Sequence, residues 1–248
     1  MKKLSITQEN RPLVFQMKKA ICLLVVALAV PLLSSCHQTD VPSFKYKIEN
    51  DEAIITSYQA NMDEARVVLP EELQGKPVTT LEENAFYQHK NMEFITLPQL
   101  LTTISGSPFY RCYSLKELHI PHNVKQIDGN PVFRCGSLTK ITVDTNNSCF
   151  TAVDGILFNK EKTELIAYPE GRTDESYTVP RSIEKIAVDA FGYDPQFKQL
   201  TVLSNVKEFP EGNMFVFPDD ITLYVELNSA AEQYAKCHNL NFRIINGT

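Results

Sequence analysis

A 23-residue period runs through this chain and limits it to folds made by stacking. Leu115-x-x-Leu118-x-Ile120-x-x-Asn123 returns as Leu138-x-x-Ile141-x-Val143-x-x-Asn146. It returns again as Phe197-x-x-Leu200-x-Val202-x-x-Asn205, and in eroded form as Asp220-x-x-Leu223-x-Val225-x-x-Asn228. Val78, Leu101 and Val124 keep the same period, and Ile183 and Val206 resume it after an insertion. Leu81, Ile104 and Ile127 do likewise, followed by Ile186 and Phe209. A third register holds Phe86, Phe109 and Val132, then Phe191 and Met214. One such unit cannot bury its own apolar face, so a stable domain needs several of them stacked.

Each register has a physical role. The Leu-x-x-Leu-x-Ile segment reads as a short strand with its apolar residues turned inward. Adjacent rungs pair at about 4.8 Å. The aromatic register closes the far side of the core. The Asn amides at 123, 146, 205 and 228 are expected to form a structural ladder, satisfying backbone groups of turns that have no ladder of their own. Outward residues of the strands then fall into columns. One column is Thr96, His119, Thr142, Thr201 and Tyr224; the next is Phe94, Glu117, Lys140, Gln199 and Thr222. Tyr87, Tyr110 and Phe133, with Gln88, Arg111 and Arg134 beside them, form an aromatic column after the buried phenylalanines. It reads as packing between rungs, or as a platform for a sugar or peptide.

The first 35 residues have a different logic. Met17-Lys18-Lys19 opens a basic segment, Ala20 to Leu33 is apolar, and Leu33-Ser34-Ser35-Cys36 follows. The run is short for a membrane span. It fits a signal segment at 1–35, with translation expected to start at Met17. The order of charge, apolar run and small-small-Cys resembles the bacterial lipobox, which implies lipidation at Cys36. Residues 36–43 then form a lipidated Cys and polar tether. Stable anchoring needs more than one acyl chain, at about 0.8 kcal/mol per buried CH₂, and the bacterial lipoprotein head group carries several. The implied address is the cell envelope, at the outer membrane or cell surface.

Residues 44–248 read as one domain. Strands at 44–48, 53–58 and 66–69 form an N-terminal cap within 44–77. Repeats occupy 78–143. Residues 144–179 break the phase with a hairpin-like rung that protrudes at Asn159 to Glu164. Repeats resume over 180–225. A C-terminal cap at 226–248 holds a helix over 229–237, with Asn228 as its N-cap, and a strand over 242–245. Cys112 and Cys135 share one register on neighbouring rungs, with His89 one rung earlier. Their spacing suits either a disulfide or two buried thiols.

Several segments closely resemble BspA-type leucine-rich repeats. They are Leu-Glu-Glu-Asn-Ala-Phe (81–86), Tyr-Arg-Cys-Tyr-Ser-Leu (110–115), Leu-His-Ile-Pro (118–121), Arg-Cys-Gly-Ser-Leu (134–138) and Val-Pro-Arg-Ser-Ile-Glu-Lys-Ile (179–186). Asp154 to Phe158 and Leu165 to Pro169 resemble that family's irregular rung. The resemblance covers about residues 54–245. It implies a leucine-rich repeat solenoid with a parallel sheet on one face, irregular or short helical returns on the other, and a cap at each end. It also implies a surface or periplasmic lipoprotein linked to adhesion and protein binding, with no catalytic residues.

Charge narrows the partners. Residues 1–35 hold five Lys/Arg and one Glu, so the chain from Cys36 onward has 19 basic and 29 acidic residues, a net charge of −10. That disfavours nucleic acid and anionic surfaces. The one close His pair, His119 and His122, brackets Pro121, which breaks the helix that an HExxH zinc site needs. No cofactor or metal site is expected, and the chain is read as no enzyme. The expected ligand-binding residues are Phe94, Thr96, Glu117, His119, Lys140, Thr142, Gln199, Thr201 and Tyr224, facing a protein partner. The alternative is a glycan-binding accessory lipoprotein of a polysaccharide uptake system. The absence of Trp weighs against it.

Overall fold

The structure, a computed structural model, describes residues 44–59, 63–192, 198–212, 214–215 and 221–246. The expected signal segment, the Met17 start, Cys36 and the tether lie outside the described residues, as do Phe197 and Asp220 of the repeat.

The chain winds as a solenoid. β1 (Phe44–Glu49) and β2 (Glu52–Tyr58) form an antiparallel pair around a turn in which Asn50 and Asp51 take positive φ. β3 (Arg66–Val68) opens the front ladder, and the short β4 (Glu72–Leu73) turns back onto β5 (Lys76–Leu81). The next rungs alternate between two sides. β6 (Phe94–Thr96), β8 (Glu117–Ile120) and β10 (Lys140–Val143) extend the front ladder; β7 (Thr103–Ile104) and β9 (Gln126–Ile127) extend a back one. The front order is β10-β8-β6-β3, with Lys140 opposite Glu117 and Thr142 opposite His119. The back order is β1-β2-β5-β7-β9, with Leu81 opposite Ile104 and Ile104 opposite Ile127. The repeat period thus becomes two parallel ladders, and the returns are more ordered than the irregular or helical ones expected.

After β10 the phase breaks. β11 (Phe150–Val153) and β12 (Ile156–Asn159) form an antiparallel hairpin, and β13 (Glu164–Ala167) pairs with β12. β13 then pairs in parallel with β15 (Lys185–Ile186), in a sheet of its own with the order β11-β12-β13-β15. β14 (Ser176–Thr178) restarts the front ladder, followed by β16 (Gln199–Val202), β17 (Thr222–Glu226) and β18 (Asn241–Ile245), with α1 (Ala230–Cys237) between the last two.

The helix start shows how local chemistry sets a boundary. Ser229, not Asn228, is the N-cap: its hydroxyl accepts from Glu232 N–H at 3.2 Å, and Glu232 reaches back to Asn228 N–H at 2.6 Å. This pairing satisfies one orphan donor of the first turn, Glu232 N–H, and the N–H of the turn residue just before the cap. Asn228 instead holds positive φ in the turn before the helix.

A stack of rings lines the interior. Phe44, Tyr58, Phe86 and Phe109 follow one another at 4.8, 5.4 and 5.4 Å between centroids. Tyr168, Phe191 and Phe215 continue it beyond the irregular rung at 5.6 and 5.5 Å. Phe215 therefore holds the ring position that the period assigned to Met214, which is buried beside it. The core falls into two clusters that meet at the hairpin. Leu157, Ile166 and Ala167 pack into the first; Ile156, Phe158, Leu165 and Tyr168 pack into the second.

Candidate functional site: the front face and its gap

Strand register decides which outward residues meet. Phe94, Glu117 and Lys140 line up across β6, β8 and β10, and His119 sits opposite Thr142. His119 Nδ1 lies 3.0 Å from Thr142 Oγ1. Thr96, on the same strand as Phe94, is opposite Val68 and is exposed. Gln199 and Thr201 pair with Thr222 and Tyr224 on β16 and β17. The expected site residues thus form two patches rather than one continuous face. The physical reason is the rung at 144–175: its strands form a hairpin and a separate sheet with β15, so among the described residues no strand bridges β10 and β14.

Phe94 is not a bare platform. The Arg66 guanidinium carbon lies 4.6 Å from its ring centroid and Lys116 Nζ 5.5 Å. Lys116 also pairs with Glu93 at 2.5 Å. Arg66 escaped the sequence reading because it lies in the cap, one rung before the repeat becomes recognisable.

The hairpin tip leans on β10. Ile141 N–H donates to the Gly155 carbonyl at 2.9 Å. A Cβ at Gly155, which has φ of +81°, would lie 3.3 Å from Lys140 Cα. A cavity of about 530 Å³ opens here, lined by Lys140, Thr142, Ala152, Asp154 and Arg172 among others. On the other side of the tip, a second cavity of about 390 Å³ is lined by Val153, Asp154, Ile156, Phe158, Lys162, Arg172, Tyr177 and Ile183 among others. Asp154 and Arg172 form the wall between them. Arg172 donates through Nη1 to the Asp154 carbonyl and through Nε to Asp174 at 2.5 Å. Tyr168 donates to the same carboxylate at 2.7 Å. Those donors, Arg172 first, hold the Asp174 carboxyl below its ordinary range. Burial pushes the Tyr177 phenol up to about 12.

The aromatic column is packing. Tyr110 has a ring on each face, Tyr87 and Phe133, both at 5.5 Å. Arg111 and Arg134 lie against Tyr110 and Phe133, at 5.1 and 6.0 Å from their centroids. Gln88, Arg111 and Arg134 take φ near +60°, and the backbone N–H of the first two donates to the next rung, at Tyr110 and Phe133. Where the irregular rung supplies no such carbonyl, the Glu170 carboxylate takes its place, accepting from Arg134 N–H at 2.7 Å.

The polar ladder keeps Asn123 and Asn205, as the motif suggests, but not Asn146 or Asn228. Asn123 donates to Gln99 O at 2.9 Å, and Asn205 to Pro180 O and Ile183 O at 3.1 and 2.6 Å. On the rung between them the ladder residue is Asn147. It donates to Pro121 O and Val124 O at 2.9 and 3.0 Å and accepts from Cys149 and Phe150 N–H, both at 2.8 Å. Asn146 is exposed. β17 leads to the helix turn, so Asn228 has left the ladder.

The Cys register is also polar in use. Cys112 and Cys135 are free and fully buried. Each thiol donates to the aromatic-register carbonyl of the rung before, Phe86 at 3.0 Å and Phe109 at 3.1 Å. His89 Nε2 sits 3.1 Å from Tyr58 O in the same way. Burial raises the Cys112 thiol to about 12 and the Cys135 thiol well above its ordinary value, so both remain protonated donors.

The BspA type leucine-rich repeat region matches residues 79–216 in six copies. The chain belongs to the BspA-type leucine-rich repeat family. This BspA-type protein is also similar to solved structures. One is a leucine-rich repeat protein from Eubacterium ventriosum: 18% identity, 75% of this chain and 65% of that one covered, TM-score 0.47. Another is the T. pallidum leucine-rich repeat protein, at 17% identity, 84% and 99% coverage and TM-score 0.48. A third is the pneumococcal vaccine antigen PcpA, at 15% identity, 82% and 97% coverage and TM-score 0.40. The chain spans 65% of the length of the Eubacterium protein. A comparison with curated proteins finds no match.

Proposed function

We propose that this BspA-type protein is a non-catalytic, envelope-anchored module that binds a protein partner through its front face. The carrying observation is the patch on β6, β8 and β10. Exposed Thr96, Glu117, His119 and Lys140 stand on strands whose spacing is fixed by backbone pairing, beside a cavity lined by Lys140 and Thr142. Such an array is preorganised, so binding orders few side chains. Its mixture of aromatic, polar and charged groups suits a protein surface. Export and anchoring through Cys36 belong to the same reading and rest on the segment at 17–36. The glycan alternative would use ring faces, and in the exposed column Tyr110 has both of its faces covered.

The test is capture. The full chain, immobilised, is exposed to a panel of extracellular host proteins and, separately, to glycans. A protein retained by wild type is then offered to the double variant His119→Ala with Lys140→Glu. Retention should fall with no change in melting temperature. Undiminished retention by the double variant removes the front face from the reading, and retention of glycans alone replaces the partner class.

A further inference from the structure

The front ladder lacks a rung, and the strand beside the vacancy has an open edge. β14 pairs with β16 on one side; among the described residues no strand pairs with it on the other. The direction of its groups is fixed by the ladder. Glu175 O accepts from Gln199 N–H, and Val179 N–H donates to Thr201 O. Backbone groups alternate along a strand, so those of Ser176 and Thr178 point away from β16, into the gap. An unpaired edge of this kind is a template for another extended chain.

The gap has a floor as well as an edge. The cavity of about 390 Å³ between the hairpin and β14 reaches Ile156, Phe158 and Ile183, all core residues, together with half-buried Tyr177. A strand laid along β14 turns alternate side chains inward, and this cavity stands where those side chains would go. The charge around the gap is biased. Among the described residues, the charged groups lining the two cavities are Lys140, Lys162 and Arg172 against Asp154. Arg172 is engaged by Asp174, whereas Lys140 and Lys162 form no ion pair among the described residues. In a chain that is acidic overall, such a local positive excess selects for acidic groups.

We infer that the gap beside β14 accepts an extended segment of a protein partner, acidic with alternating apolar residues, as an added strand. This rests on the protein-binding reading above and names its chemistry. Apolar side chains enter the cavity, the segment's backbone pairs with Ser176 and Thr178, and its outward acids meet Lys140 and Lys162.

Random nine-residue peptides displayed on phage, panned on the full chain, test this. Thr178→Pro serves as the counter-target, because proline removes one N–H that points into the gap while suiting an edge strand. The enriched pool should alternate apolar residues with Asp and Glu. It should bind wild type about tenfold better than Thr178→Pro, as loss of a hydrogen bond or two predicts. A synthetic peptide from the pool should weaken similarly on Lys162→Glu, and when its alternate backbone nitrogens are methylated. The last change leaves the protein untouched, so it decides the matter even if Thr178→Pro fails to fold. Equal binding by the methylated peptide overturns the strand, an excess of Lys and Arg overturns the charge argument, and no enrichment overturns both. If a partner is captured through His119 and Lys140 while panning enriches nothing, the protein-binding reading survives and this one is lost.

Discussion

Glu170 ends the backbone ladder of Arg134. Its Oε1 stands 2.7 Å from Arg134 N, in the place that Phe133 O holds for Arg111 N and Tyr110 O for Gln88 N. A side chain thus splices a regular rung to an irregular one. Glu170 is only 4% exposed, and a Cβ on Gly192 would sit 1.9 Å from its carboxylate.

Three variants follow from that splice. Glu170→Ala should cost about 1–3 kcal/mol by orphaning a buried donor. Glu170→Gln keeps an acceptor and should cost less. Gly192→Ala should fail by steric conflict and by its φ of +45°, which alone costs about 1–2 kcal/mol for a residue with a Cβ. Thermal or urea unfolding ranks the three; a Glu170→Ala midpoint equal to that of Glu170→Gln removes the splice.

Asn147 and Asn146 give a second contrast. Asn147→Ala strips partners from buried groups on two rungs and should cost about 3 kcal/mol or more, at roughly 1–3 per orphaned group. Asn146→Ala should stay within about 0.5 kcal/mol. Similar midpoints for the two variants would return the ladder to the position the motif suggested.

Thiol chemistry should separate by burial. Exposed Cys237 should react with a thiol reagent at neutral pH in the folded protein. Cys112, held near 12, and Cys135, raised by burial, should react only on unfolding. Mass spectrometry of the alkylated chain reads this directly, and labelled Cys112 in folded protein sinks the buried-donor assignment.

Acid should weaken the wall between the cavities. Asp174 has a depressed carboxyl pKa in the folded state, through Arg172 first and Tyr168 next. Its stabilisation is therefore complete above the ordinary value of 3.8 and is lost as pH falls through the folded-state value. Asp174→Asn should lower the melting temperature at neutral pH and converge with wild type in acid. The carboxylate is partly exposed, so solvent screening keeps the effect small. A difference that grows toward low pH would reverse the sign.

Anchoring has its own test. Cys36→Ser should leave the chain unacylated and release it from membranes. Palmitate labelling of that variant at the wild-type level would exclude Cys36 as the acceptor.

The parts of this fold legible in sequence are those that repeat a side chain. Leu118, Ile141, Leu200 and Leu223 had to recur because each rung meets the same neighbour. The back ladder was legible only as the apolar register Leu81, Ile104 and Ile127, because two-residue strands carry no alternation. Asn146 alone keeps the 23-residue spacing from Asn123, and a turn after Val143 longer by one residue is what hands the ladder role to Asn147. Met214 displaced Phe215 for a similar one-residue reason. The columns of the front face were correct strand by strand. The gap has no sequence mark, because the hairpin at 153–168 is legible while the departure of its strands into a separate sheet with β15 is not. Asp154 and Arg172 belong to no register, so no period could single them out.

The meeting of two cores at one hairpin bears on how such a chain can change over generations. Layers interact only with their neighbours in a solenoid. Leu157, Ile166 and Ala167 pack into one core and Ile156, Phe158, Leu165 and Tyr168 into the other. A whole 23-residue unit can therefore be duplicated or deleted on either side while the opposite core keeps its packing. Repeat number is then free to drift in each half separately, with the hairpin as the fixed joint between two lineages of rungs.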